Sequence, residues 1–205
     1  MVPAPQQPRI GTTPARMSAT ITAFKDGVRF RCTQCGKCCT SLGRELPLLI
    51  DDVQRLAGHL RMTSQAFVRR YCVYVIDVVR EGELTVRIPS LQLRLPRSGR
   101  CVFLTDSNLC SVHEAKPFVC GHSPFMRYVA HDQERWNAAV SMCPGIGIGR
   151  LHSGPAIQRL LWRDDLAERR ELAQIQRAGG SLSKALGFRL SKPRIRPVRW
   201  RKSVV

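Results

Sequence analysis

The octapeptide Cys32-Thr33-Gln34-Cys35-Gly36-Lys37-Cys38-Cys39 places four cysteines within eight residues, in the pattern C-x2-C-x2-C-C. Thiolates are soft and polarisable, and at this spacing they select zinc, copper(I) or iron–sulfur clusters over magnesium or calcium. The local fold must therefore be a tight loop wrapped around sulfur. Gly36, directly after Cys35, can take the left-handed conformation such a loop requires, and it lets backbone N–H groups approach the sulfurs. Neighbouring side chains diverge, so adjacent Cys38 and Cys39 are expected to serve two centres, or opposite faces of one cluster.

Five further cysteines, Cys72, Cys101, Cys110, Cys120 and Cys143, bring the total to nine. An odd count argues against a disulfide framework. So does the N-terminus Met1-Val2-Pro3-Ala4-Pro5, which lacks a basic stretch followed by an apolar one. The expected compartment is the reducing cytoplasm, where metal ligation is the preferred use of so much sulfur. C-x2-C-x2-C also opens the bacterial ferredoxin run, and Cys143-Pro144 resembles its remote Cys-Pro. The spacing departs from that run at Cys39, so the chain is not read as a ferredoxin.

With 205 residues, 43% of them apolar, the chain suits one domain with a modest core. No stretch approaches the roughly 20 apolar residues of a membrane span. The formal charge of +18 raises attraction to nucleic acid or an acidic partner. Two four-thiolate metal sites, each carrying about −2, would lower it only to roughly +14.

Residues 1–20 hold five prolines or glycines and no hydrophobic periodicity, and are expected to be a disordered arm. Met17 near its end is an equally reasonable start. Residues 21–179 are read as the metal-organised domain. Asp51 is the expected N-cap of a helix with Val53, Leu56, Ala57 and Leu60 on one face, and a second helix begins at Thr63 or Ser64. β-branched residues at 73–79 and 84–88 predict a hairpin turning at Glu81-Gly82, and Leu91–Leu95 alternates as a separate strand. Residues 105–150 show little periodicity and are expected to be loops ordered by ligation. A long helix opens with Ser153 as cap and Pro155 in its first turn, faces Ile157, Leu160 and Leu161 inward, and ends at Gly179-Gly180. Residues 180–205 carry eight basic and no acidic residues, with Pro193 and Pro197 barring a regular helix; they read as a basic flexible tail.

Several short segments combine with the octapeptide into a larger pattern. These are Phe30-Arg31 before it, Gly99-Arg100-Cys101-Val102-Phe103-Leu104, Cys110-Ser111-Val112-His113-Glu114-Ala115-Lys116-Pro117, Cys120-x3-Pro124-Phe125 and Cys143-Pro144-Gly145. Over roughly residues 28–150 this resembles the YkgJ-type CxxCxxCC family, described as zinc- or iron-chelating. The resemblance implies eight ligands: Cys32, Cys35, Cys38, Cys39, Cys101, Cys110, Cys120 and Cys143. Their cofactor would be an iron–sulfur cluster, of the 4Fe-4S type, or zinc, with a structural, metal-handling or redox role. Cys72 falls outside the pattern and reads as a buried core thiol. The family's Arg after the third downstream cysteine is here Gly121, so an expected cation is missing. His113 stands where Tyr is frequent, and both it and His122 read as ordinary hydrogen-bonding residues.

Similar cysteine-rich domains occur in flagellin lysine N-methylases, so the resemblance also admits a modifying activity dependent on S-adenosylmethionine. Gly145-Ile146-Gly147-Ile148-Gly149 is the one candidate cofactor loop, with close backbone packing as its simpler explanation. Asp164-Asp165 reads as a solvated helix face. A third reading is an adaptor folded by metal and docking on nucleic acid or an acidic protein through residues 180–205. The expected fold is α+β: a small, loop-rich, metal-organised single domain with a C-terminal helix.

Overall fold

Helix α2 (Ile50–His59) starts through two carboxylates that reach its first amides. Asp52 Oδ2 accepts from the Leu49 N–H at 3.0 Å, and Glu171 Oε2 accepts from the Ile50 N–H at 3.2 Å. These satisfy donors that a helix N-terminus otherwise leaves unpaired. Asp51, expected as the cap, lies inside the first turn and is exposed. The helix begins earlier than expected because the partner at Ile50 comes from 121 residues away. Val53, Leu56 and Ala57 are buried as expected, and Thr63 caps α3 (Ser64–Tyr71) by accepting from the Ala66 N–H at 3.2 Å.

The computed structural model describes residues 24–40, 46–81 and 84–198; the expected arm 1–20, with Met17, lies outside them. Strands β3 (Cys72–Glu81) and β4 (Leu84–Leu93) form the expected antiparallel hairpin, in register at Val75 and Ser90. The strand expected separately at Leu91–Leu95 is instead the end of β4. Pro89 does not interrupt it, because the outer neighbour β2 (Pro47–Leu48) pairs β4 only at Leu91 and Gln92 and asks no donor of residue 89.

On the other side of β3 lies β6 (Arg194–Val198), parallel, giving the order β2-β4-β3-β6. Arg196 forks onto Asp77, Nε to Oδ1 at 2.5 Å and Nη2 to Oδ2 at 2.8 Å. With α8 (Leu182–Leu186) and the buried Leu182 and Leu190, this corrects the expected flexible tail over residues 182–198. Prolines 193 and 197 do bar a helix. They are compatible with an edge strand, whose outer amides need no partner.

A second, two-stranded sheet pairs β1 (Val28–Phe30) with β5 (Arg150–His152). Between the sheets, residues 105–150 are less irregular than expected. They form a 3-10 turn (His113–Ala115), α4 (Phe118–His122), α5 (Arg127–Ala130) and α6 (Gln133–Met142). Helix α6 shows no apolar stripe because it buries only Trp136; its start is fixed by Asp132, which accepts from the Glu134 and Arg135 N–H groups at 3.0 and 3.1 Å. The long α7 (Gly154–Arg177) has the expected extent, with Ser153 at the N-cap position but making no side-chain capping bond, and it stops where Gly179 and Gly180 turn left-handed.

Two apolar cores result in this α+β domain. The first gathers Val53, Leu56, Phe67, Leu91, Leu93, Phe103, Val112, Ile175 and Leu182. The second gathers Phe24, Val28, Phe125, Trp136, Ile157 and Leu161, with Phe24 edge-on to Trp136 at 4.8 Å. Val119 packs against both.

Burial pushes the Glu171 carboxyl from 4.5 up to about 7, with Asp52, Asp51 and Glu168 adding to the rise and the Ile50 N–H opposing it. The folded state thus holds a proton that the unfolded chain releases between these values, so this group's contribution to stability falls as pH rises through the window. We expect the thermal midpoint to fall across that window less steeply in Glu171→Gln than in the wild type, as read by circular dichroism melts.

Candidate metal centre

The sulfur-bearing loops are held by backbone bonds made beside the cysteines. Next to Cys32, the Arg31 N–H donates to the Gly145 carbonyl at 3.1 Å, and the Gly147 N–H donates to Arg29 at 2.9 Å. This lays the Cys143-Pro144-Gly145 turn along the entry to the octapeptide. Two of the three glycines of the run serve that contact: a Cβ at Gly145 would stand 2.3 Å from the Arg31 carbonyl oxygen, and one at Gly149 would stand 2.5 Å from the Arg31 Cβ, whereas one at Gly147 would face open space.

Gly36 is left-handed, as expected, with φ of 71°, and a Cβ there would meet the Asn108 carbonyl oxygen at 3.0 Å. It sets the octapeptide against the turn before Cys110. The single-turn helix α1 (Lys37–Thr40) then presents Cys38 and Cys39, and the Cys39 carbonyl accepts the Cys101 N–H at 2.7 Å. A bridge between Leu104 and Cys110, with the Ser111 N–H on the Phe103 carbonyl at 2.8 Å, folds Cys110 back beside Cys101. Cys120 arrives on α4.

Five of the eight expected ligands form one interacting group. The Cys39 thiol feels Cys38, Cys101 and Cys120, the Cys120 thiol feels Cys101, Cys38 and Cys110, and the Cys101 thiol feels Cys110 and Cys38. The Cys38 and Cys39 sulfurs lie 3.8 Å apart, and a hydrogen bond from Cys39 holds the Cys38 thiol down to about 6 while Cys39 is pushed up. Lys116 adds to the lowering at Cys38. Burial, reinforced by the neighbouring thiols, pushes Cys120 up to about 12.

Cys32 and Cys35 are exposed and Cys143 is half-buried. Their segments meet through the Arg31–Gly145 bond rather than by sulfur contact. Among the described residues no three Cys, His, Asp or Glu side chains stand in metal-ligating geometry. The thiols are gathered without being closed on a point.

The donor set fits a soft metal. It is all sulfur, and crowded thiols that resist ionisation together are the groups a cation would convert to thiolates. The 3.8 Å Cys38–Cys39 separation equals the edge, about 3.8 Å, of a tetrahedron of sulfurs about 2.3 Å from a central ion. Adjacent residues here do turn their sulfurs to one side, which the divergence argument did not anticipate.

Other candidates resolve into structural roles. Cys72 is a core thiol, pushed up to about 12 by burial. His122 Nδ1 lies 3.2 Å from the Phe118 carbonyl with the ring stacked on Phe118, so Nδ1 carries the proton. Asp164 accepts the Arg127 N–H at 3.2 Å and Asp165 pairs with Arg127 at 2.8 Å, tying α7 to α5. The cation missing at Gly121 has a local counterpart: the Lys116 Cε lies 3.9 Å from where a Gly121 Cβ would stand. Sequence reasoning missed Lys116 and Arg55; it read Asp51-Asp52 as a helix cap, which Asp52 is, but missed that Asp52 together with Arg55 also anchors the start of α4. The spacing of Lys116 from Cys120 carries no ligand signal.

Gly145→Ala should lower the thermal midpoint and loosen the Cys143 loop, because the new methyl meets backbone that cannot yield. An unchanged midpoint, together with unchanged exchange protection of the Arg31 amide, would contradict this.

Comparison with known proteins bears on the same segments. A protein of Methanocaldococcus jannaschii, named only as uncharacterized, is 23% identical over 104 residues, covering 50% of this chain and 48% of its own length. The chain thus spans about half of that relative. No solved structure matches. The model of the family CxxCxxCC, "Putative zinc- or iron-chelating domain", matches residues 31–144, which include all eight cysteines of the pattern. By that match over more than half its length, with the sulfurs gathered as described, the chain belongs to the CxxCxxCC family of zinc- or iron-chelating domains.

Proposed function

We propose that the eight cysteines Cys32, Cys35, Cys38, Cys39, Cys101, Cys110, Cys120 and Cys143 hold a metal centre at the protein surface, an iron–sulfur cluster in the first instance, used for metal handling or electron transfer. The observation that carries this is the gradient of exposure across the thiols. Cys101 is buried and Cys120 half-buried, while Cys32, Cys35 and Cys38 face solvent. A purely structural zinc site is usually closed, whereas an open rim admits metal exchange or an electron partner. More than four thiols in one neighbourhood also exceed what one tetrahedral ion takes.

When bound, an iron–sulfur centre supplies one-electron chemistry, and zinc supplies a redox-silent site. The residues' own contributions are distinct. Cys101, Cys110 and Cys120 form the floor, braced by the first core. Cys38 and Cys39 close over it on α1, and Lys116 offsets negative charge at Cys38.

Anaerobic purification followed by visible absorption and by iron, sulfide and zinc analysis tests the reading. Iron and sulfide in stoichiometric amounts, lost in a Cys38→Ser, Cys120→Ser double variant, are expected. Colourless protein with stoichiometric zinc would replace the cluster by zinc, and metal-free protein would overturn the reading.

The C-terminal strand favours a second, compatible role in binding nucleic acid. Pairing with β3 holds the exposed Arg194 at a sheet edge beside Ile195, which is 57% exposed, and the exposed Lys192 stands two residues before the strand. Phosphate contacts make such binding steeply salt-dependent. Lys192→Gln with Arg194→Gln should weaken binding to single-stranded RNA and shallow its salt dependence; binding unchanged by the pair of substitutions would exclude the strand.

A further inference from the structure

Three polar side chains of α2, Asp52, Arg55 and His59, stand at positions i, i+3 and i+7 and therefore share one face of the helix. All three hold the chain between Cys110 and Cys120. Asp52 Oδ1 accepts the Phe118 N–H at 2.8 Å. Arg55 Nη2 donates to the Lys116 carbonyl at 2.9 Å and also pairs with Asp52. His59 Nε2 lies 3.4 Å from the Ser111 carbonyl. At 1.5 Å of rise per residue, the three anchor points span roughly 10 Å along a rigid axis.

The anchored segment begins one residue after Cys110 and ends two residues before Cys120. Its apolar positions, Val112, Ala115 and Pro117, are buried. Asp52 is 1% exposed and accepts from Leu49, Phe118 and Arg55. Its partner Arg55 keeps 41% of its side chain in solvent, so the pair itself adds little stability, and what the two side chains fix is the position of the backbone they bond.

We infer that Asp52, Arg55 and His59 are positioning residues for the metal centre, a polar rail on α2 that sets the separation of Cys110 and Cys120. The inference rests on the metal-binding reading above. Its reach is specific: the bonds of the rail to this segment all go to backbone, and although the Asp52 charge is also felt at the Cys120 thiol, Arg55 and His59 set through those bonds where the α4 start lies relative to the Cys110 turn. Outer partners of this kind typically govern metal affinity by 10–100-fold.

The test uses the full-length reduced chain, with Co2+ as the probe and thiolate-to-cobalt absorption as the readout of affinity. Asp52→Asn and Arg55→Met are each expected to weaken Co2+ binding by about 10–100-fold, and Arg55→Lys, which can still reach the Lys116 carbonyl, to recover much of that loss. Arg55 is half-exposed, so Arg55→Met carries the test even where Asp52→Asn fails to fold. Each loss should shrink to less than about threefold when Cys120→Ser is already present, because the rail acts through that ligand. Unchanged affinity in Arg55→Met, or the same loss with and without Cys120, overturns the rail. Absence of thiolate-to-cobalt absorption in the wild type overturns the metal reading itself, and the rail with it.

Discussion

Sulfurs drawn into one neighbourhood repel one another as soon as they ionise, and the rest of this structure answers to that repulsion. The thiols of Cys39, Cys101 and Cys120 all resist losing their protons, Cys39 first through its hydrogen bond with Cys38 and the other two first through burial, with neighbouring thiols adding to the rise at each. Nothing about the sulfurs themselves would therefore bring these segments together. The attraction must come from elsewhere in the chain, and hydrogen bonds made close to the cysteines supply it. The Cys39 carbonyl takes the Cys101 N–H and the Arg31 N–H reaches Gly145, backbone to backbone, while the Phe118 N–H reaches the Asp52 side chain.

This division of labour explains why glycine flanks the motif. Close approach of backbone to backbone leaves no room for a Cβ, so Gly36 packs on Asn108 and Gly145 on Arg31. Between Cys110 and Cys120, side chains of α2 also hold the chain, and each such contact costs side-chain entropy.

The octapeptide, the buried Cys72, the hairpin and the long α7 were legible in the sequence through local spacing or periodicity, whereas Cys101, Cys110, Cys120 and Cys143 joined the pattern only through the family resemblance, their own spacing being loose. What escaped depends on distant partners. The start of α2 moved because Glu171 reaches Ile50. Strand β6 exists because β3 offers a free edge of β-branched residues, and a run of arginines and prolines shows nothing of that pairing by itself. Helix α6 escaped for the opposite reason: it buries a single tryptophan, so its start rests on the Asp132 cap and leaves no stripe to read. In the site, the cysteines were readable as candidate ligands while the anchoring of α4 by Asp52 and Arg55 was not, since hydrogen bonding to a neighbouring backbone leaves no pattern in spacing.

The position of α4 gives these pieces a common consequence. It carries Cys120, is anchored through Asp52 and Arg55 to α2 in the first core, and offers Val119 to both cores. On the far side, α5 follows within a few residues and is tied to α7 by Arg127 and its two aspartates. The Cys143 turn is bound to β1, which belongs to the second core through Val28. The eight sulfurs thus come from both halves of the domain, the floor from the first core and the rim from strands packed on the second. A metal centre closed by thiolates from both sides would cross-link the two cores, on both of which Val119 packs, and ligation would then be coupled to their mutual orientation.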